Sequence, residues 1–107
     1  MPTYNKLVRD KIPEIIDQTG KNYEVRILDK VEYIKELKKK AYEELNEIVE
    51  AKDRESSLEE LADLLEVIHA IAVYHSSTLE EINSIRQEKE EQRGSFSEKV
   101  FLIAVED

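Results

Sequence analysis

From Leu64 to Tyr74 the chain carries a single charged residue, Glu66, with His69 counted as neutral. A helix built from such a run is apolar nearly all round, so it must be covered on most of its surface by other helices or by another subunit. Residues 58–75 are therefore expected at the centre of a helical body or in an interface. Two Gly and two Pro among 107 residues are too few for a loop-rich all-β fold. An apolar share of 40% and a charged share of 38% fit a soluble, helix-rich protein. The length predicts one domain, residues 1–107, with a core small enough to make homo-oligomerisation a natural way to bury more apolar surface.

The remaining helices follow from periodicity and caps. Pro13 suits the first turn of a helix carrying Ile15 and Ile16, which Gly20 stops. Asp29 is placed to cap a helix running to about Lys52, with Val31, Ile34, Leu37, Ala41, Leu45 and Ile48 as its apolar stripe. Ser56 or Ser57 caps the central helix, with Glu59 or Glu60 at capping-box spacing. Thr78 and Glu81 form the corresponding box for a polar last helix that runs to about Arg93 and stops at Gly94. Residues 23–28 and 100–105 read as short strands, the first by its alternation of Tyr23, Val25 and Ile27. The fold class predicted is mainly α: a helical bundle with a minor β hairpin at about 23–28 and 100–105.

Two acidic pairs at i, i+3 spacing stand out: Glu44 with Glu47, and Glu60 with Asp63. Each pair projects from one side of its helix. Twelve residues separate Glu47 from Glu60, enough to end one helix, turn and start an antiparallel partner. The four carboxylates can then converge across a helix–helix seam, where like charges require protons or cations between them. Hard oxygen ligands at that density suit Mg²⁺, with Mn²⁺ as the alternative. Against this stands the ordinary fate of acidic runs, which are usually solvated faces. Near a helix N-terminus, Glu59, Glu60 and Asp63 would also favour the macrodipole.

A net charge of −9 disfavours duplex nucleic acid as a partner. No apolar run approaches membrane-spanning length, no signal region opens the chain, and the absence of cysteine removes disulfides and thiolate chemistry. A cytoplasmic location is the expectation. Two basic clusters, Lys6, Arg9 and Lys11 near the start and Arg86, Lys89 and Arg93 on one side of the last helix, have phosphate contact as the alternative to charge balance and to ion pairing with neighbouring glutamates, the commoner fate of such clusters. His69 is expected to be a packed residue rather than a ligand.

Taken together, Glu43-Glu44-Leu45-Asn46-Glu47, then Glu60-Leu61-Ala62-Asp63, resemble the E-E-x-x-E and E-x-x-D motifs of the MazG-like all-α nucleoside triphosphate pyrophosphohydrolases. Lys89 through Arg93-Gly94 to Phe96 resembles that family's basic ending, and Tyr4 to Pro13 (Y-N-K-L-V-R-D-K-I-P) is similar to the opening of a small house-cleaning subgroup. The resemblance implies hydrolysis of a nucleoside triphosphate between the α and β phosphates, giving monophosphate and pyrophosphate, with noncanonical nucleotides as conceivable targets. It implies that Glu44, Glu47, Glu60 and Asp63 are the catalytic, Mg²⁺-binding residues, with Glu47 or Glu60 orienting the attacking water. It also implies that Lys89 and Arg93, with Lys6 and Arg9 behind them, contact phosphates in a homodimer or homotetramer. Tyr4, Asn5, Tyr42 and Tyr74 are candidates for base contact among which the sequence does not choose. Two rival functions share these residues: a pyrophosphohydrolase for another phosphorylated metabolite, such as phosphoribosyl-ATP or a nucleotide-sugar, and a non-catalytic helical oligomerisation module.

Overall fold

The computed structural model describes residues 2–107. Four helices follow one another: α1 Ile12–Gln18, α2 Lys30–Glu50, α3 Arg54–Tyr74 and α4 Leu79–Arg93. Pro13 sits in the first turn of α1, and Gly20 follows that helix at φ 80°, a conformation without steric cost only for glycine. Asp29 caps α2 by accepting the Glu32 N–H at 2.9 Å. Thr78 caps α4 by accepting the Glu81 N–H at 3.1 Å. The Glu81 carboxylate does not close the reciprocal box and instead accepts from the Ser77 hydroxyl at 2.5 Å.

The start of α3 differs from the expectation. Asp53, not Ser56 or Ser57, is the cap; it accepts the Ser56 N–H at 2.8 Å and the Ser56 hydroxyl at 3.2 Å. A carboxylate is the stronger acceptor, and Asp53 holds two donors at once. Those bonds lower the Asp53 pKa, the backbone N–H of Ser56 contributing most. The helix therefore begins a turn earlier, and Glu60 lies well inside it, away from any capping role.

α2 and α3 form an antiparallel hairpin about the short turn at residues 51–53, and this pair is the main packing of the molecule. Leu37 of α2 and Val67 and Ala72 of α3 are its buried core. Leu37 and Val67 are equally distant from Lys52 along the chain, so they meet at one level of the seam. The α2 stripe holds at its middle: Ile34, Ala41 and Ile48 are half-buried beside Leu37, whereas Val31 and Leu45 are exposed. The α3 line of Glu60, Asp63, Val67, Ala70 and Tyr74 is the covered side, as expected. Tyr74 closes it against Tyr33, with ring centroids 6.5 Å apart.

The anticipated β hairpin does not form. No residue among those described is in a strand, and no backbone group of residues 22–28 or 100–107 bonds to another backbone group. Alternation reports an extended backbone but carries no information about a partner, and an isolated two-stranded ribbon is marginal in water.

Much apolar surface stays uncovered. Leu58, Leu61, Leu65 and Ile68 make an exposed stripe along α3 at spacings of three and four residues. From Glu80 to Asp107 every residue is exposed. The accessible surface is 10056 Å², against about 6,200 Å² for a compact monomer of 12.5 kDa. The radius of gyration is 18.3 Å, against roughly 13 Å for a compact domain of this length. No helix among the described residues is long and apolar enough to cross a membrane.

Candidate metal centre

Because the α2–α3 turn is short and the helices are antiparallel, residues equally far from Lys52 come level across the seam. Glu44 and Glu60 are such a pair. Asp63, one turn along α3 from Glu60, joins them on the same side. One carboxylate oxygen from each of Glu44, Glu60 and Asp63 lies within 4.8 Å of the others, and all three residues are half-buried. Ligands at about 2.1 Å from an octahedral Mg²⁺ are at most ~4.2 Å apart, so three oxygens at this spacing need only a small side-chain adjustment to close on one ion. The donor set, all carboxylate oxygen and partly shielded from water, matches a hard divalent cation.

Glu47 is the member left outside this triad. It is exposed on α2, beyond the seam, but its charge is felt at Glu60. The Glu60 pKa is raised, first by loss of hydration and then by the charges of Asp63, Glu47 and Glu44. A hydrogen bond to Glu44, which only the protonated form of Glu60 can donate, works in the same direction.

The neighbouring cations explain why Glu60 carries this burden. The Arg9 guanidinium donates to Asp63 Oδ1 at 2.7 Å. Lys40 Nζ stands 3.7 Å from Glu44 Oε1 and 3.3 Å from Glu43 Oε2. Glu60 has no ion-pair partner among the described residues. Two carboxylates of the triad are thus paired with cations of the chain, and Glu60 is the one without such a partner among the described residues.

The basic candidates divide. Arg9 reaches the cluster, although through a carboxylate rather than a free phosphate-binding position; both partners are more than 40% exposed. Lys6 is exposed and makes no ion pair among the described residues. Lys89 and Arg93 lie on the exposed length of α4, whose one ion pair among the described residues joins Arg86 to Glu90 at 2.8 Å. α3 and α4 meet chiefly where Ile82 approaches Ile68, Ile71 and Ala72, near their connecting turn. Lys40 was not singled out from the sequence, although its i, i+4 spacing to Glu44 is a readable signal.

Of the aromatic candidates, Tyr74 is committed to packing against Tyr33 and His75, while Tyr4 and Tyr42 are exposed. Asn5 has a positive φ of 45°. His69 is half-buried, with Nδ1 3.4 Å from Glu66 Oε2, an ion pair only when the imidazole is protonated.

No protein-family model matches the chain, and neither the curated proteins nor the solved structures contain a match.

Proposed function

We propose that this chain is a Mg²⁺-dependent nucleoside triphosphate pyrophosphohydrolase that cleaves between the α and β phosphates and releases a nucleoside monophosphate and pyrophosphate. The observation that carries the reading is the convergence of Glu44, Glu60 and Asp63 across the α2–α3 seam, with carboxylate oxygens within 4.8 Å of one another. Those three residues would hold the ion, and Glu47 borders it. Bound there, Mg²⁺ supplies neutralisation of the triphosphate and activation of water near neutral pH. Mn²⁺ fits the same donors.

The chain's own groups have distinct tasks in this reading. Water attacks phosphorus, the P–O bond to the bridging oxygen breaks, and the bond pair leaves with pyrophosphate or the monophosphate. Glu60 or Glu47 would orient the attacking water and take its proton. Arg9, already at the cluster, transfers its guanidinium from Asp63 to a phosphate oxygen when metal and substrate arrive. Lys89 and Arg93 are proposed as phosphate contacts in a homodimer or homotetramer. Removal of noncanonical nucleotides is the role this reaction would serve in the cytoplasm.

The test is product analysis with purified protein, Mg²⁺ and a panel of ordinary and damaged nucleoside triphosphates, beside Glu60→Ala. Monophosphate plus pyrophosphate, lost in the variant, is the expected result. Orthophosphate plus diphosphate overturns the cleavage position. Turnover of phosphoribosyl-ATP or a nucleotide-sugar alone transfers the same cluster to another phosphorylated substrate. A second reading, a non-catalytic oligomerisation module, draws on the exposure of every residue from Glu80 to Asp107. It gains if a folded protein neither turns over any of these compounds nor binds Mg²⁺.

A further inference from the structure

Two segments outside any helix and without backbone partners among the described residues, 22–28 and 100–107, are complementary to each other in register. In antiparallel pairing with Tyr23 opposite Val105, Val25 falls opposite Ile103 and Ile27 opposite Phe101. These are aromatic and β-branched pairs of the kind that stabilise a ladder. The same register sets Lys21 opposite Asp107 and Asp29 opposite Lys99, so an ion pair flanks the ladder at each end. Between Lys99 and Glu106 the tail has no charge and is apolar on both faces, which is the pattern of a covered strand. Yet Phe101 is 88% exposed, Ile103 91% and Ile27 94%.

The two segments do not pair among the described residues, and a second copy of the chain carries both halves of the same register. The accessible surface of each copy exceeds that of a compact monomer by roughly 3,900 Å², or about 7,800 Å² for a pair, more than the ~2,000–5,000 Å² that an obligate homodimer interface removes from both partners together, so a second copy finds ample surface to cover. A chain with a net charge of −9 repels its own copies, and the two segments offer a contact whose interior carries only Glu24 and Arg26, one of each sign. We propose that residues 100–105 of one copy cross to a second copy of this chain and pair antiparallel with residues 23–28 there, reciprocally, making a two-fold dimer by exchange of the C-terminal strand. The tail of each copy then supplies the missing backbone bonds of the other. The inference does not depend on the chemistry assigned to the carboxylates.

The chain has no cysteine, which makes the pairing directly readable by disulfide formation. Val25→Cys chains are co-expressed with Ile103→Cys chains, and Arg26→Cys with Leu102→Cys. Adjacent antiparallel pairs alternate between narrow and wide, so one of these two combinations is close enough to oxidise whatever the phase. At least one combination is expected to give a covalent species of twice the chain mass, while the out-of-register combination of Val25→Cys with Leu102→Cys does not. Closure of a doubly substituted Val25→Cys, Ile103→Cys chain on itself, with no linked dimer, overturns the exchange in favour of an intramolecular hairpin. No link in either combination, in chains of unchanged helicity, also overturns it. As an independent readout, Ile103→Asp should weaken dimerisation at least about tenfold in sedimentation experiments, because a charge is placed in the interior of both ladders. An unchanged association constant, or a wild-type chain that sediments as a monomer at high micromolar concentration, contradicts the proposal.

Discussion

Arg9 gives two predictions of opposite sign from one substitution. Its guanidinium is 2.7 Å from Asp63 Oδ1, and the residues are 58% and 42% exposed in their side chains. An ion pair so open to solvent is worth about 0–1 kcal/mol, so Arg9→Ala should change folding stability by no more than that. A divalent ion entering the triad must take the Asp63 oxygen from Arg9. Removing the arginine deletes that competition, and divalent-metal affinity without nucleotide should rise by up to about fivefold, the equivalent of ~1 kcal/mol. With substrate present the sign reverses. A charge-assisted hydrogen bond to phosphate is worth about 1.5–3 kcal/mol, so loss of Arg9 should weaken triphosphate binding by roughly 10- to 150-fold. Calorimetric titration with MnCl₂ reads the first effect, and KM for the triphosphate reads the second. Lys6→Ala, which removes a nearby charge with no ion pair to the cluster, should leave metal affinity unchanged. Metal affinity that falls in Arg9→Ala, or does not move, would refute the view that this guanidinium occupies the place of the metal.

Three further outcomes follow from the seam and its caps. The raised pKa of Glu60 means that the folded, metal-free protein holds its proton more tightly than the unfolded chain does, so Glu60 costs stability progressively as pH rises from the ordinary carboxylate value through the raised one; Glu60→Gln should raise the urea midpoint of the metal-free protein at pH 7 and have no such effect at a pH below that window. Asp53 has the opposite sign: its lowered pKa makes its cap a contribution present at neutral pH and lost as pH falls through the lowered value, which acid titration of Asp53→Ala beside the unsubstituted chain should reveal as two curves converging in acid. Leu37, 3% exposed in the middle of the α2–α3 seam, should cost about 2–5 kcal/mol on replacement by Ala, read as a shift of the urea midpoint with unchanged slope; a loss below ~1 kcal/mol would mean that the two helices do not pack through it.

The parts of the molecule that were legible in the sequence are those set by local chemistry. Asp29 and Thr78 cap their helices because each is an oxygen acceptor three residues before a free N–H, a relation visible along the chain. Leu37 and Val67 were visible as members of 3.6-residue stripes, and the same period aligned Glu60 and Asp63 with Val67. The start of α3 was not, because Asp53, Ser56 and Ser57 are all competent caps and the choice depends on which can hold two donors. Arg9 and Asp63 are 54 residues apart, and their meeting depends on how the segment before α1 lies over the helix pair. Among the four carboxylates, sequence spacing treated Glu44 and Glu47 alike. The seam distinguishes them, since Glu44 is level with Glu60 and Glu47 points past it into solvent. Residues 23–28 and 100–105 were read as the strands of a β hairpin, which does not form among the described residues, because alternation along the chain carries no information about a partner.

The claim on which the account rests is that Glu44, Glu60 and Asp63 together make one divalent-cation site. It is tested most directly by Mn²⁺ titration, followed by electron paramagnetic resonance of the free ion, on the unsubstituted protein and on Glu44→Ala, Glu60→Ala, Asp63→Ala and Glu59→Ala. Saturable binding that is lost in each of the first three variants and kept in Glu59→Ala, with helicity unchanged throughout, is the predicted result. Weak, unsaturable binding that falls by the same small amount in all four variants would show the carboxylates to be an ordinary solvated acidic face.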